Sequence, residues 1–333
     1  MFVLSNYLLA VIFCIITMLC WGSWANTQKL AGKEWRFELF YWDYVIGVFI
    51  LSIIFAFTLG SFGSAGRPFM RDIGQAHFSN ILSAMIGGAV FNAANILLVA
   101  AIAIAGMAVA FPVGIGIALV WGVIMNYIAT PIGNPAILFI GVGLVVLAII
   151  FDAAAYKKLQ KKSKGVSTKG LMLSVICGIL MGNFYYFVAK SMSTDFVSLE
   201  IGKLSPYTAV FFFSLGLLIS NFLFNTIIMK KPFVGEPVAI SKYFKGNLRL
   251  HSIGVLGGII WCIGMSFNII ASGQAGFAIS YGLGQGATMV AAFWGVFIWK
   301  EFKDAPKGTN RLIVMMFTFF LIGLGLIISA RVM

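Results

Sequence analysis

Hydrophobic residues fall into ten stretches of about 20, parted by short polar segments. They lie near residues 7–26, 42–61, 80–103, 107–129, 136–155, 170–192, 205–229, 251–272, 276–298 and 311–331. A helix of about 20 residues spans a hydrocarbon layer roughly 30 Å thick. None of the stretches shows the ten-residue alternation of a membrane barrel strand, so the elements are helices. The pattern predicts an all-α membrane protein with ten transmembrane helices. Only Ala105-Gly106 parts the third stretch from the fourth, and only the segment from Gly273 to Gly276 parts the eighth from the ninth. Each of these pairs is expected to be a tight antiparallel hairpin.

Composition agrees with a lipid solvent: 61% of residues are hydrophobic, 10% are charged, and the mean hydropathy is +1.00. The net charge of +13 would suggest nucleic-acid binding in a soluble chain, but here the basic residues sit in loops. Loops after odd-numbered stretches carry eighteen Lys and Arg, among them Lys29, Lys33 and Arg36, six lysines from Lys157 to Lys169, and Lys300, Lys303, Lys307 and Arg311. The other side carries five: Arg67, Arg71, Lys190, Lys203 and Arg331. The positive-inside rule then puts the odd loops in the cytoplasm and both termini outside an inner or plasma membrane. The first stretch has no basic leader, and Trp21 and Trp24 stand where cleavage would need small residues, so it is expected to stay as a helix. Cys14, Cys20, Cys177 and Cys262 all lie in apolar stretches without metal-ligand spacing and read as packing residues.

The chain repeats itself at a spacing of about 170 residues. Gly87-Gly88 returns as Gly257-Gly258, Gly106-Met107-Ala108 as Gly276-Phe277-Ala278, and Gly114 and Gly116 as Gly284 and Gly286. Slightly out of register, Trp121-Gly122-Val123 returns as Trp294-Gly295-Val296, and Arg67-Pro68-Phe69 has a counterpart in Lys231-Pro232-Phe233. Two units of five helices follow, residues 1–155 and 170–333, joined by a lysine-rich link at 156–169. An odd helix count turns the second unit over, giving inverted repeats, an arrangement that places a transport site near the midplane.

No GxxxxGK phosphate loop is present, and the run from Tyr281 to Gly286 lacks the strand a dinucleotide site needs. No cofactor or metal is expected, since the only histidines, His77 and His251, fall in or beside loops. Nor is an enzyme, because no deep Asp-Asp or His-Glu pair is seen. Asp43 and Asp152 sit near helix ends, where a carboxylate reaches interfacial water. Asp43 is the better candidate for proton coupling, because Tyr41, Trp42 and Tyr44 around it would desolvate it. Deeper in the stretches lie amides: Asn92 and Asn95 on one helix face, then Asn183, Asn221, Asn225, Asn268 and Gln285. Each needs a partner, either across a helix interface or in a polar cavity. Together they suit a polar, uncharged solute, with Trp24, Tyr185, Tyr186, Trp121 and Trp261 offering flat faces. Trp42 and Trp299 read instead as interfacial anchors.

Several local patterns resemble a known family. Gly22-Ser23-Trp24 closes the first helix, Tyr41-Trp42-Asp43-Tyr44 opens the second, and Thr58-Leu59-Gly60 ends it. Ala84-Met85-Ile86-Gly87-Gly88 and Asn95 mark the third; Gln285, Phe293-Trp294-Gly295-Val296 and Glu301 come late. With ten helices in two inverted halves, these features resemble the drug/metabolite transporter superfamily. Within it they are most similar to the ureide permeases and the neighbouring glucose/ribose porters and rhamnose–proton symporters. The resemblance implies uptake of small uncharged metabolites by proton symport: allantoin and nucleobases in one branch, monosaccharides in the other. It gives most weight to Asp43 and Gln285. The long central loop of the plant proteins, with its nucleotide-like motif, has only the short lysine-rich link here, so no ATP-linked regulation carries over.

The expectation is a secondary transporter working by alternating access around a midplane site. Its solute contacts would be Trp24, Asn92, Asn95, Asn183, Tyr185, Trp261, Asn268 and Gln285, and Asp43 would take the coupling proton. A facilitative channel is the alternative outside the carrier class; it would need a polar face along whole helices, whereas these amides cluster at mid-depth.

Overall fold

A computed structural model describes residues 1–32, 34–159 and 167–333 of the chain. Lys33, residues 160–166 and the side chains at positions 107 and 108 lie outside that description, and with them the middle of the link expected at 156–169. Ten helices are long and apolar enough to cross a membrane: Tyr7–Ala31, Phe37–Phe57, Phe78–Ala105, Val109–Ala129, Pro135–Leu159, Thr168–Ser191, Pro206–Lys230, Leu248–Ala275, Phe277–Ile298 and Thr309–Ser329. They are called here the first to tenth spans.

Local chemistry starts these helices. The side chains of Asn6, Ser167, Ser205 and Asn247 accept from backbone amides three residues on, in the first turns of the first, sixth, seventh and eighth spans. Between the spans the ends gather on two faces. On one, the amino terminus donates to the Ala65 carbonyl at 2.7 Å, His77 N–H meets Gly202, and Asn134 N–H meets Ala330. On the other, Lys29 reaches Glu301, Arg36 reaches the Glu236 carbonyl, and Lys158 reaches the Lys307 carbonyl. We call these the terminal face and the lysine-rich face.

Two elements lie outside the ten spans and were not expected from the sequence. A short helix at Phe69–Gln75 covers the terminal face, and a 3₁₀ turn at Ile240–Lys245 covers the lysine-rich face. The second span also starts about one turn earlier than expected, at Phe37, because its charged first turn is tied down. Glu38 pairs with Arg36, and its carbonyl accepts from Asn225 Nδ2 at 2.9 Å.

Packing treats the halves alike. The third span lies against the sixth and seventh, the eighth against the first and second. The fourth packs on the sixth and the ninth on the first, while second pairs with seventh and fifth with tenth. Replacing each span by the one five further on leaves this pattern unchanged. Glycine makes the closest crossings possible: a Cβ on Gly88 would overlap the Phe213 carbonyl oxygen, and one on Gly258 the Tyr44 carbonyl oxygen. The partners at Phe213 and Tyr44 are themselves about one repeat apart. Both hairpins turn on one glycine each, Gly106 at φ 79 and Gly276 at φ 84, a region L side chains rarely adopt. We predict that Gly258→Ala costs about 1–3 kcal/mol by forcing the second and eighth spans apart. An unchanged unfolding midpoint in detergent would show that the crossing is looser than described.

Candidate functional site

One large cavity, of about 650 Å³, enters the bundle from the lysine-rich face. Residues of the first, third, fourth, fifth, sixth, eighth and ninth spans line it. Its floor is aromatic. Trp21 stacks on Trp261 at 5.8 Å between ring centres and 16° between planes, and Phe91 packs on Trp261 at 4.4 Å and on Phe184 at 5.1 Å. Trp24 meets Tyr44 at 4.8 Å at the side. Such ring faces suit a flat or ring-shaped solute.

Two amides reach this floor with capacity to spare. Asn95 donates one bond to the Tyr41 hydroxyl at 3.3 Å, and its carbonyl oxygen has no partner among the described residues. Gln285, on the ninth span, makes no side-chain hydrogen bond to any described residue and lines the same cavity. It occupies an interruption in the helix. Phe277–Gly284 and Ala287–Phe293 are separate segments, and backbone bonds there shorten to three residues, Gly286 to Leu283 and Thr288 to Gln285. Interrupted membrane helices recur at solute sites, because loosened backbone is tolerated where it borders a cavity.

The mouth is held by a second irregularity. The ninth span ends in a π turn, Trp294–Ile298, closed by Trp299 N–H to Trp294 at 2.8 Å. Lys300 follows at φ 52, a conformation costing about 1–2 kcal/mol for a non-glycine residue. This backbone carries Trp299 and Glu301 to the opening. Glu301 pairs with Lys29 at 2.8 Å and accepts from the Tyr156 hydroxyl at 2.8 Å. Trp299 donates to Asn26 at 2.7 Å, with Lys29 lying 4.9 Å over its ring. Asp152 also lines the cavity; it is 8% exposed and has no hydrogen-bond or ion-pair partner among the described residues.

Beyond the floor, toward the terminal face, buried polar contacts join the spans. Tyr185 and Ser280 share a bond of 2.9 Å, Asn268 donates to the Ser280 carbonyl at 2.7 Å, and Tyr281 donates to the carbonyls of Ala118 and Met181. Of the residues picked out in the sequence, Trp24, Asn95, Trp261 and Gln285 line the cavity. Tyr185 and Asn268 stand behind it. Asn92 bonds the Leu217 carbonyl and Ser220 across the third and seventh spans, and Asn183 bonds Ile179 on its own helix. Asp43 lies elsewhere, 1% exposed, accepting from Tyr243 at 2.6 Å and Trp35 at 3.1 Å, with His251 Nδ1 at 2.8 Å. Burial, and then the bond to Asp43, pushes the Tyr243 pKa up and keeps that hydroxyl a donor. Trp299 stands at the mouth rather than as a free anchor.

Comparison with known proteins gives the family. The profile described as "Ureide permease" matches residues 40–169 and 156–330. The chain belongs to the ureide permease family. The two matched segments of the ureide permease profile meet at the lysine-rich link. Ureide permease 1 of Arabidopsis thaliana is 22% identical, with 96% of each chain covered. Ureide permease 4 of the same plant is also 22% identical, over 99% of each chain. The probable glucose uptake protein GlcU of Staphylococcus aureus (strain MRSA252) is 26% identical over 71% of this chain and 76% of its own. A solved crystal structure shares the fold at a TM-score of 0.62, covering 98% of this chain and 99% of that one at 13% identity. As a ureide permease family member with ten apolar helices, the chain is a multi-pass membrane transporter of small polar metabolites and not an enzyme.

Proposed function

We propose that this chain is a secondary active transporter that takes up an uncharged metabolite of ureide or nucleobase type by proton symport and alternating access. One observation carries the reading: the cavity reaches the lysine-rich face and pairs the spare amide groups of Asn95 and Gln285 with the ring faces of Trp24 and Trp261. A ureide or nucleobase is a flat array of N–H donors and carbonyl acceptors, the complement of two side-chain amides on an aromatic floor. The names of the plant relatives point to the same solute class.

In this reading residues 1–155 and 170–333 are inverted repeats joined at 156–169, as the exchangeable packing pattern suggests. The charge bias makes the lysine-rich face cytoplasmic, so both termini lie outside an inner or plasma membrane and the cavity is open inward. Alternating access then consists of rocking one half against the other until the cavity opens to the terminal face. Tyr185 and Asn268 would part from Ser280 in that step, and Asn92 would hold the third span on the seventh. Asn183 is free to find the solute only if its helix turns. Asp43 would fix the cytoplasmic ends of the second and eighth spans, and it is the alternative proton carrier to the one argued below.

A monosaccharide is the second reading, favoured by the likeness to the probable glucose uptake protein. Purified protein in liposomes, with labelled allantoin, uracil, ribose and glucose, separates the two. We expect saturable counterflow of allantoin or uracil, and accumulation only under an imposed proton gradient. Flux of ribose or glucose alone would establish the sugar reading, and non-saturable flux without counterflow would establish a channel.

A further inference from the structure

Among the described residues, Asp152 is the one carboxylate on the cavity wall without a hydrogen-bond or ion-pair partner. It projects from the fifth span about two turns before its lysine-rich end and is 8% exposed. Glu301, the other acid lining the cavity, is already neutralised by Lys29 at 2.8 Å and hydrogen-bonded by Tyr156 at 2.8 Å. The fifth span packs against the fourth and tenth. The fourth offers only Tyr127, at the terminal end and bonded to the Gly133 carbonyl, and the tenth only the exposed Arg311. Lys158, further along the fifth span, bonds the Lys307 carbonyl. Among the described residues, Asp152 therefore faces the cavity and a like charge, with no cation bonded to it.

An enclosed carboxylate in that position is neutralised by a cation arriving through the cavity or pays several kcal/mol of desolvation. The mouth is where it acts. Tyr156 stands one turn along from Asp152 and binds Glu301, which binds Lys29 on the first span. Lys29 and Glu301 line the same cavity as Asp152, so a negative Asp152 would draw Lys29 away from Glu301 and a neutral one would leave the Lys29–Glu301 latch closed.

We propose that Asp152 takes up the coupling proton at the cavity wall, and that its charge sets the Lys29–Glu301 latch at the mouth. This deepens the transporter reading and rests on it. The proton enters from water on one face and binds a carboxylate oxygen. It leaves as a proton to water on the other face; no other bond changes. The imposed proton gradient supplies the work. Two carboxylates, one of them already paired, are few against the oxygen set a calcium ion gathers; the sodium arm of the test below separates a proton from a monovalent ion.

The test uses the purified full-length protein and dicyclohexylcarbodiimide, which modifies protonated carboxyl groups in apolar pockets, with peptide mapping by mass spectrometry. We expect the adduct on Asp152, weakening as pH rises and unchanged when choline chloride replaces sodium chloride. In liposomes, Asp152→Asn should bring the accumulation ratio of allantoin or uracil under a proton gradient down to one, whatever exchange rate remains, and Asp152→Glu should restore it. An adduct on Asp43 with none on Asp152 overturns the proposal, as does protection by sodium or wild-type accumulation by Asp152→Asn. Should Asp152→Asn fail to fold, labelling of the wild type still decides. Absence of flux of all four solutes in the wild type would sink the solute reading alone, because the labelling result does not depend on flux.

Discussion

Gln285→Leu is expected to raise the half-saturation concentration for the carried solute roughly 10- to 100-fold. The wild-type amide has no bond within the protein and can spend both its donor and its acceptor on the solute. Two neutral hydrogen bonds contribute about 0.5–1.5 kcal/mol each, and a solute group left unpaired in the cavity adds to the loss. A total of roughly 1.4–2.8 kcal/mol corresponds to that range of affinity. Because the Gln285 side chain makes no hydrogen bond to any described residue, and Leu is of similar size, the unfolding midpoint should hardly move. The comparison is Asn183→Leu, whose amide is bonded to the Ile179 carbonyl of its own helix; its half-saturation concentration should stay within about twofold. Concentration dependence of counterflow in liposomes measures both. Equal shifts in the two variants, or none in Gln285→Leu, would place the solute elsewhere.

Asp72→Ala should be the most damaging change away from the cavity. Asp72 is fully buried at the terminal face, 2.9 Å from Arg67 Nε, and its other oxygen accepts from Ser205 N–H at 2.7 Å. Arg67 in turn donates to the carbonyls of Leu199, Glu200 and Lys203. One carboxylate thus fastens the segment after the second span to the start of the seventh. Removing one partner of a buried pair costs about 3–5 kcal/mol, because the other charge is left without compensation. The expected loss is read from the unfolding midpoint in mixed micelles. A double-mutant cycle with Arg67→Met should return a coupling of more than about 1 kcal/mol. Independent, additive losses would show that the pair is incidental.

The spans were legible because lipid imposes a length and a composition that soluble folds do not. The glycine series was legible for a related reason: close crossings at Gly88 and Gly258 and positive-φ turns at Gly106 and Gly276 penalise any side chain. Helix ends were less so. Glu38 precedes the apolar stretch that begins at residue 42, yet Arg36 and Asn225 let it sit inside the first turn of the second span. The pattern Arg67-Pro68-Phe69 was visible as a repeat, but nothing in it revealed that Arg67 would find Asp72.

The site divides along a physical line. Trp24, Asn95, Trp261 and Gln285 could be picked out because polar or flat residues at mid-depth need a reason to be there. Asn92, Asn183, Tyr185 and Asn268 meet the same condition with protein partners, and a helix apolar on every side gives no stripe by which to tell the two uses apart. Asp152 and Glu301 fall near span ends, where a carboxylate ordinarily reaches water. Glu301 reaches the mouth through the π turn at Trp294–Ile298 and the backbone of Lys300, and Asp152 borders the cavity through the helices around the fifth span; sequence periodicity encodes neither.

The most direct test of the account is the sidedness of a single thiol at Ala291, a small cavity-lining residue between Gln285 and the mouth. In a background with Cys14, Cys20, Cys177 and Cys262 replaced, Ala291→Cys is treated with a membrane-impermeant thiol reagent in vesicles of known orientation. Lys307→Cys and Phe62→Cys mark the lysine-rich and terminal faces. We predict reaction from the same side as Lys307→Cys, and slowing by whichever of the four labelled solutes the protein carries. Reaction from the side of Phe62→Cys, or a rate indifferent to that solute, would contradict a solute cavity open to the lysine-rich face.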